Sequence, residues 1–374
     1  MRRKLFSIFL FVFLATVIFA QTEAEAAVIV SSMDDDTLAA QVLLSGIDGR
    51  LALTPDMRTI LKKVPAGGIM LFRYNLDSSK DEVRELLSEV SSLVSDSGGI
   101  PPFIAVDHEG GLVHRFGPGV ERLPAAFSFW ELAQKEGRNA ALARAELLYR
   151  LSALEIKGLG ITMVLGPVAE ILNNDNRAFL DTRSYGPDPD FVGAAASVFI
   201  KMMDAAGIAS VVKHFPGNTG ADPHSKVSSL KAGRPELSEM VKPFTGLFYE
   251  DEPAAVMVSH VMVPALDDQK IASLSRAVIQ GWLRGELGFK GIVLADDFSM
   301  GAATGTGQNL SEAAVEALNA GVDMIMVWPG NIRQVHASIL KALKDGRLPR
   351  VRLMEAAGKI IAGKLRYGIV DLSK

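Results

Sequence analysis

Ala209-Ser210-Val211-Val212-Lys213-His214-Phe215-Pro216-Gly217-Asn218-Thr219-Gly220-Ala221-Asp222-Pro223-His224 runs from a buried-type apolar segment into two adjacent basic side chains, then into a Pro/Gly turn. The turn leads to a carboxylate and a histidine two positions apart. An apolar strand with a polar tip and a glycine-rich loop is how a rigid scaffold presents chemistry to a cleft. Taken alone, the stretch reads equally well as a strand ending in a surface turn. The rest of the chain decides between the two.

The same signature recurs on either side. Apolar runs stand at Gly67-Gly68-Ile69-Met70-Leu71-Phe72, Phe103-Ile104-Ala105-Val106 and Ile161-Thr162-Met163-Val164-Leu165. Others follow Ala209 to Val212, at Ala254 to Val258, Gly291 to Ala295 and Asp323 to Val327. Near-continuous apolar strands of this kind are buried on both faces, as parallel strands are. Helical stretches over 80–94, 140–156, 191–206 and 310–320 separate them, an alternation that means α/β. With a weaker run at Gln41 to Ile47, the pattern predicts a (β/α)8 barrel of the TIM type.

A doubly wound open sheet alternates in the same way, and the strand tips discriminate. Just after the runs come Arg73-Tyr74-Asn75, Asp107-His108-Glu109-Gly110-Gly111, Gly166-Pro167, Lys213-His214, Ser259-His260, Asp296-Asp297 and Trp328-Pro329. Ionisable groups after strand upon strand suit a barrel with its site at the C-terminal face. An open sheet concentrates its site at one switch point. Neither a Gly-x-Gly-x-x-Gly nor a P-loop sequence follows any run, so no nucleotide cofactor is expected. No linker-like break interrupts Asp34 to Leu372; 347–368 reads as a closing basic helix, and Gly301 to Asn309 as a loop over the barrel mouth.

The 374 residues carry a net charge of only −4, without the basic excess that nucleic-acid binding requires. Arg2-Arg3-Lys4, an apolar run from Leu5 to Ala20, and the small residues up to Ala27 have the layout of a signal peptide, with cleavage after Ala20 or Ala26. An uncleaved anchor is the other reading, although the run is short for a span. The expected division is a signal over 1–26 and one catalytic domain over 27–374, secreted or periplasmic, with no stable membrane insertion after cleavage. Cysteine is absent, which excludes disulfides, thiolate metal sites and cysteine nucleophiles.

Among candidate chemical groups, Asp296 and Asp297 end an apolar strand, so only one is expected to face the mouth. A carboxylate there suits a nucleophile or a stabiliser of a cationic sugar transition state. The tips show no compact His/carboxylate cluster with ligand spacing, and no metal is expected. His224, with Asp222 two residues before it, suits a general acid/base. Lys213, His214, Arg115 and Arg183 are each ambiguous between sugar binding and structural pairing. Ser259 and Ser299 lack the Gly-x-Ser-x-Gly elbow of a nucleophilic serine.

Five stretches in register carry a resemblance: Gly67 to Phe72, Val106 to Phe116, Lys213 to Gly217, His260 to Asp267, and Leu294 to Ala302. Together the chain resembles the single-domain β-N-acetylhexosaminidases of glycoside hydrolase family 3. The resemblance implies a (β/α)8 barrel, no cofactor, and hydrolysis with retention through a covalent glycosyl-enzyme. It implies Asp296 as nucleophile, His224 as acid/base oriented by Asp222, and Asp107, Arg115, Arg183, Lys213 and His214 as binders of the terminal sugar. The substrate implied is a carbohydrate bearing terminal N-acetylglucosamine, in cell-wall fragments or amino-sugar glycans, processed by a monomeric enzyme. Two departures stand out: Asn218-Thr219 replaces His-Gly within a shortened loop where Pro223 replaces serine, and Glu170 stands where aspartate is common. Alternatives are another family 3 β-glycosidase, a phosphorylase, or an exported sugar-binding protein on the same barrel.

Overall fold

The computed structural model describes residues 22–221, 227–298 and 309–372. Eight parallel strands form one sheet: β1 (Leu43–Gly46), β2 (Gly68–Leu71), β3 (Phe103–Val106), β4 (Met163–Val164), β5 (Ala209–Phe215), β6 (Ala255–Val258), β7 (Ile292–Ala295) and β8 (Ile325–Val327). From β1 to β7 each strand pairs with the next along the chain, and β1 also pairs with β8. A bridge between Leu294 and Met324 joins β7 to β8, so the sheet closes into a barrel. The strands are apolar along their length because they are covered on both sides, inside by one another and outside by helices.

The helices begin and end where local chemistry dictates. Ser79 caps Lys80–Asp96 reciprocally with Glu82, satisfying two N–H groups at the helix start. Asp34 and Asn309 cap Asp35–Gln41 and Leu310–Ala320 in the same sense. Gly321 ends the latter helix at φ 116°, a conformation that costs a side chain dearly. Arg350–Arg366 is the expected closing helix. Residues 22–31 are also helical, and Ala26 and Val30 of that helix are buried in the core.

Two strands differ from the sequence expectation. β4 is only two residues long, because Gly166-Pro167 follows at once and proline has no N–H for the ladder. β5 runs on through Lys213 and His214 to Phe215, fully buried. Basic side chains can sit inside a ladder only where carboxylates from other strands meet them, as they do here.

Beneath the β7–β8 junction, Asp323 is completely buried. It accepts from Arg284 Nη2 at 2.5 Å, from Arg352 Nη2 at 2.7 Å and from the Val293 N–H at 2.9 Å. This brace fixes the strand that carries Asp296. Gly301 to Asn309 falls almost wholly outside the described residues, as do the N-terminal apolar run, Asp222 and His224. Among the described residues no helix is long and apolar enough to cross a membrane.

Candidate active site

After β3 the chain folds into a tight hairpin, His108–Gly110 against Val113–His114. Gly110 takes φ 95°, and a Cβ there would lie 2.2 Å from the Pro124 carbonyl oxygen, so glycine is required. The hairpin delivers Asp107, Glu109 and Arg115 to the barrel mouth. Arg183 comes from the short turn Asp181–Arg183, and Lys213 and His214 from the end of β5.

These side chains form one charged lattice. Lys213 Nζ lies 2.7 Å from Asp107 Oδ1 and 2.6 Å from Glu109 Oε1. Arg183 grips Glu109 with two bonds, Nε to Oε2 at 2.8 Å and Nη2 to Oε1 at 2.9 Å, and its guanidinium lies over the Phe179 ring. Arg115 Nη2 reaches Asp107 Oδ2 at 3.4 Å. Burial pushes the Asp107 and Glu109 carboxyls up, but their cations outweigh it and both end below the usual range. Burial likewise opposes the Lys213 charge, and Asp107 and Glu109 reverse the balance upward. Asp107, Glu109 and Lys213 thus hold one another ionised.

Exposure divides the labour. The Lys213 and Glu109 side chains are 3% and 4% exposed, whereas Asp107, Arg183 and Arg115 keep 19%, 17% and 34%. The last three present donors and acceptors to the cleft, and Lys213 with Glu109 holds them from below. Glu109 belongs to the site although its motif alone did not single it out; its place two residues beyond a strand tip was the available signal.

His214 is oriented by the two departures from the family pattern. Its Nδ1–H donates to Glu170 Oε1 at 2.6 Å, which leaves Nε2 as acceptor toward Arg183 Nη2 at 3.5 Å. Glu170 Oε2 also accepts from the Asn218 backbone N–H at 2.6 Å, and Oε1 from Asn218 Nδ2 at 3.1 Å. Glu170 therefore binds the β5 tip to the root of the following loop. Neither Glu170 nor Asn218 was among the expected site residues.

At the tip of β7, Asp296 Oδ1 accepts from the Asp297 N–H at 2.9 Å. The Asp297 carboxylate turns to Trp328, whose Nε1–H donates to Oδ2 at 2.7 Å. His260 Nε2–H donates to the Asp297 carbonyl at 3.1 Å and so must accept from Ser273 Oγ at Nδ1, 2.7 Å away. Burial lowers the His260 pKa, consistent with that neutral tautomer. Both aspartates follow the end of β7 and are half-buried, and the Asp297 carboxylate is the one tied to Trp328. Asp222 and His224, the expected acid/base pair, lie outside the described residues. Among the described residues no group of three His, Asp or Glu side chains is arranged to hold a metal ion. A cavity of about 700 Å³ opens at the opposite end of the barrel, by Phe248, Phe289 and Met354, far from this chemistry.

The Glycosyl hydrolase family 3 N terminal domain matches residues 39–362. The β-hexosaminidase of Methylococcus capsulatus is 36% identical over 297 residues, covering 78% of this chain and 84% of that protein. A Neisseria meningitidis β-hexosaminidase is 34% identical over 279 residues, 74% of each chain. In three dimensions, a family 3 β-N-acetylglucosaminidase from Paenibacillus sp. superposes with TM-score 0.85 at 30% identity, over 92% of this chain and 65% of that one.

Proposed function

The chain belongs to glycoside hydrolase family 3 and is a glycoside hydrolase of the β-hexosaminidase kind; from that premise we propose that it is exported and releases terminal N-acetylglucosamine through a covalent intermediate on Asp296. The observation that carries the reading is the placement of Asp296 at a strand tip on the barrel face that also holds the charged lattice of Asp107, Arg115 and Arg183.

In this reading the exposed members of the lattice bind the hydroxyls of the terminal sugar. Asp296 attacks the anomeric carbon while His224, oriented by Asp222, gives its proton to the departing oxygen. His224 then takes a proton from water, which displaces Asp296, and two inversions leave the configuration retained. Cell-wall fragments or amino-sugar glycans outside the cytoplasm are the substrates this places within reach. Cleavage after Ala20 leaves the helix over 22–31 whole, whereas cleavage after Ala26 would cut through it. N-terminal sequencing of the exported protein is expected to begin at Gln21, and a start at Ala27 would contradict this.

An assay on a chromogenic β-N-acetylglucosaminide tests the activity. Asp296→Asn is expected to lose at least about 10³-fold in kcat/KM; wild-type turnover no faster than the variant's would overturn the assignment. His224→Ala is expected to slow substrates with poor leaving groups far more than activated aryl glycosides, since only the former need protonation. Equal losses would remove His224 as the acid. Release of a sugar 1-phosphate only when phosphate is present would replace water by phosphate as the acceptor.

A further inference from the structure

The charged lattice takes up one arc of the barrel mouth, from β3 through β5. The other arc, from β8 across β1 to β2, is built from aromatic rings. Phe72, just after β2, and Trp328, just after β8, stack with centroids 4.5 Å apart and planes within 9°. Tyr74 continues the same stack, 6.1 Å from Phe72 and within 10° of parallel.

The chain is shaped to hold these rings. β1 ends in Gly46, where a Cβ would press to 3.1 Å on both Phe72 Cε2 and Pro329 Cδ. The Tyr74 hydroxyl donates to the Ile47 carbonyl at 2.6 Å. Asn75 accepts from the Phe72 N–H at 2.9 Å and donates to the Gly49 carbonyl at 2.7 Å. Trp328 is tied to the residue beside Asp296 through Asp297 Oδ2. Even so packed and bonded, Trp328 and Tyr74 remain 37% and 42% exposed. Large aromatic surface kept at the rim of a polar cleft, on a rigid support, marks a contact surface for a ligand.

A pyranose ring has a polar rim of hydroxyls and an apolar face of C–H bonds. The lattice suits the rim of the sugar held at Asp296. The aromatic arc suits the C–H face of the ring that departs. We propose that Trp328, backed by Phe72 and Tyr74, is the leaving-group platform of this enzyme and selects substrates whose leaving group is a second pyranose. The proposal rests on the hydrolase reading and adds the residues that choose the leaving group.

The test compares methyl β-N-acetylglucosaminide with the β-1,4-linked disaccharide of N-acetylglucosamine. The quantity read is the ratio of kcat/KM on the disaccharide to that on the methyl glycoside. Trp328→Ala is expected to lower this ratio about tenfold, mainly through KM on the disaccharide, and Trp328→Phe to recover part of it. Tyr74→Ala, which leaves the Asp297 bond in place, is expected to lower it by a smaller factor. An unchanged ratio in Trp328→Ala, whatever the loss in absolute rate, would reduce the stack to a support for Asp297 and overturn the proposal. Calorimetric binding of the same disaccharide to Asp296→Asn reads the platform without turnover. Addition of Trp328→Ala should weaken that binding about tenfold, and equal affinity would overturn the proposal. A wild type that hydrolyses neither sugar would sink the hydrolase reading, and the binding comparison would still judge the platform.

Discussion

At the scale of single residues, Glu170 concentrates the most consequence. One buried carboxylate accepts from His214 Nδ1, from the Asn218 backbone and from the Asn218 side chain. Removing it leaves buried donors without partners, at roughly 1–3 kcal/mol for each. Glu170→Ala is therefore expected to lose stability and to lower kcat/KM by about tenfold or more, as His214 loses its orientation. Glu170→Asp and Asn218→His, which restore the commoner family residues, should each be harmful alone and less so together. A double-mutant cycle in kcat/KM measures this, and additive effects would show that the two positions act separately. The sequence displayed both substitutions as departures, but it could not display that they touch. Their contact spans 48 positions of chain, and no periodicity carries it.

Elements were more legible than their interactions. The apolar runs placed all eight strands, because burial on both faces leaves a compositional trace. Phe103–Val106 and Leu310–Ala320 have the expected ends, since turn and cap residues bound them in sequence. The end of β5 was missed because Lys213 and His214 look like a surface tip until Asp107, Glu109 and Glu170 are brought against them. Asp323 was legible only as the start of a strand. Its two arginines come from helices 39 and 29 positions away. Breaking a buried pair leaves charge without compensation, at about 3–5 kcal/mol. Asp323→Ala is expected to destabilise the protein by that order in denaturant unfolding, with an unchanged m-value. A loss below about 1 kcal/mol would mean that the β7–β8 junction does not depend on this brace.

For the whole molecule, the buried ionisable groups set how stability varies with pH. Burial, then the neighbouring His114, pushes the His108 pKa down from 6.5 to about 3. Its folded-state pKa is depressed, so the unfolded chain takes up a proton first as pH falls. The stability from neutral His108 is full above about pH 6.5 and is lost progressively toward pH 3, at no more than about 1.4 kcal/mol per pH unit. Asp107 and Glu109 are depressed from 3.8 and 4.5, so their contribution begins to fall only below that range. Thermal unfolding should decline gently below pH 6.5 and more steeply in stronger acid. His108→Gln should remove much of the gentle limb, and a parallel wild-type profile would contradict this. The barrel places the charged lattice and Asp296 on one rim, and a single chemical event there decides the account. The most direct measurement is mass analysis of the protein after reaction with a 5-fluoro-N-acetylglucosaminyl fluoride, which forms a glycosyl-enzyme faster than water removes it. We expect one sugar adduct on the peptide containing Asp296, absent from Asp296→Asn. Continued turnover with no adduct, or an adduct on another residue, would contradict it.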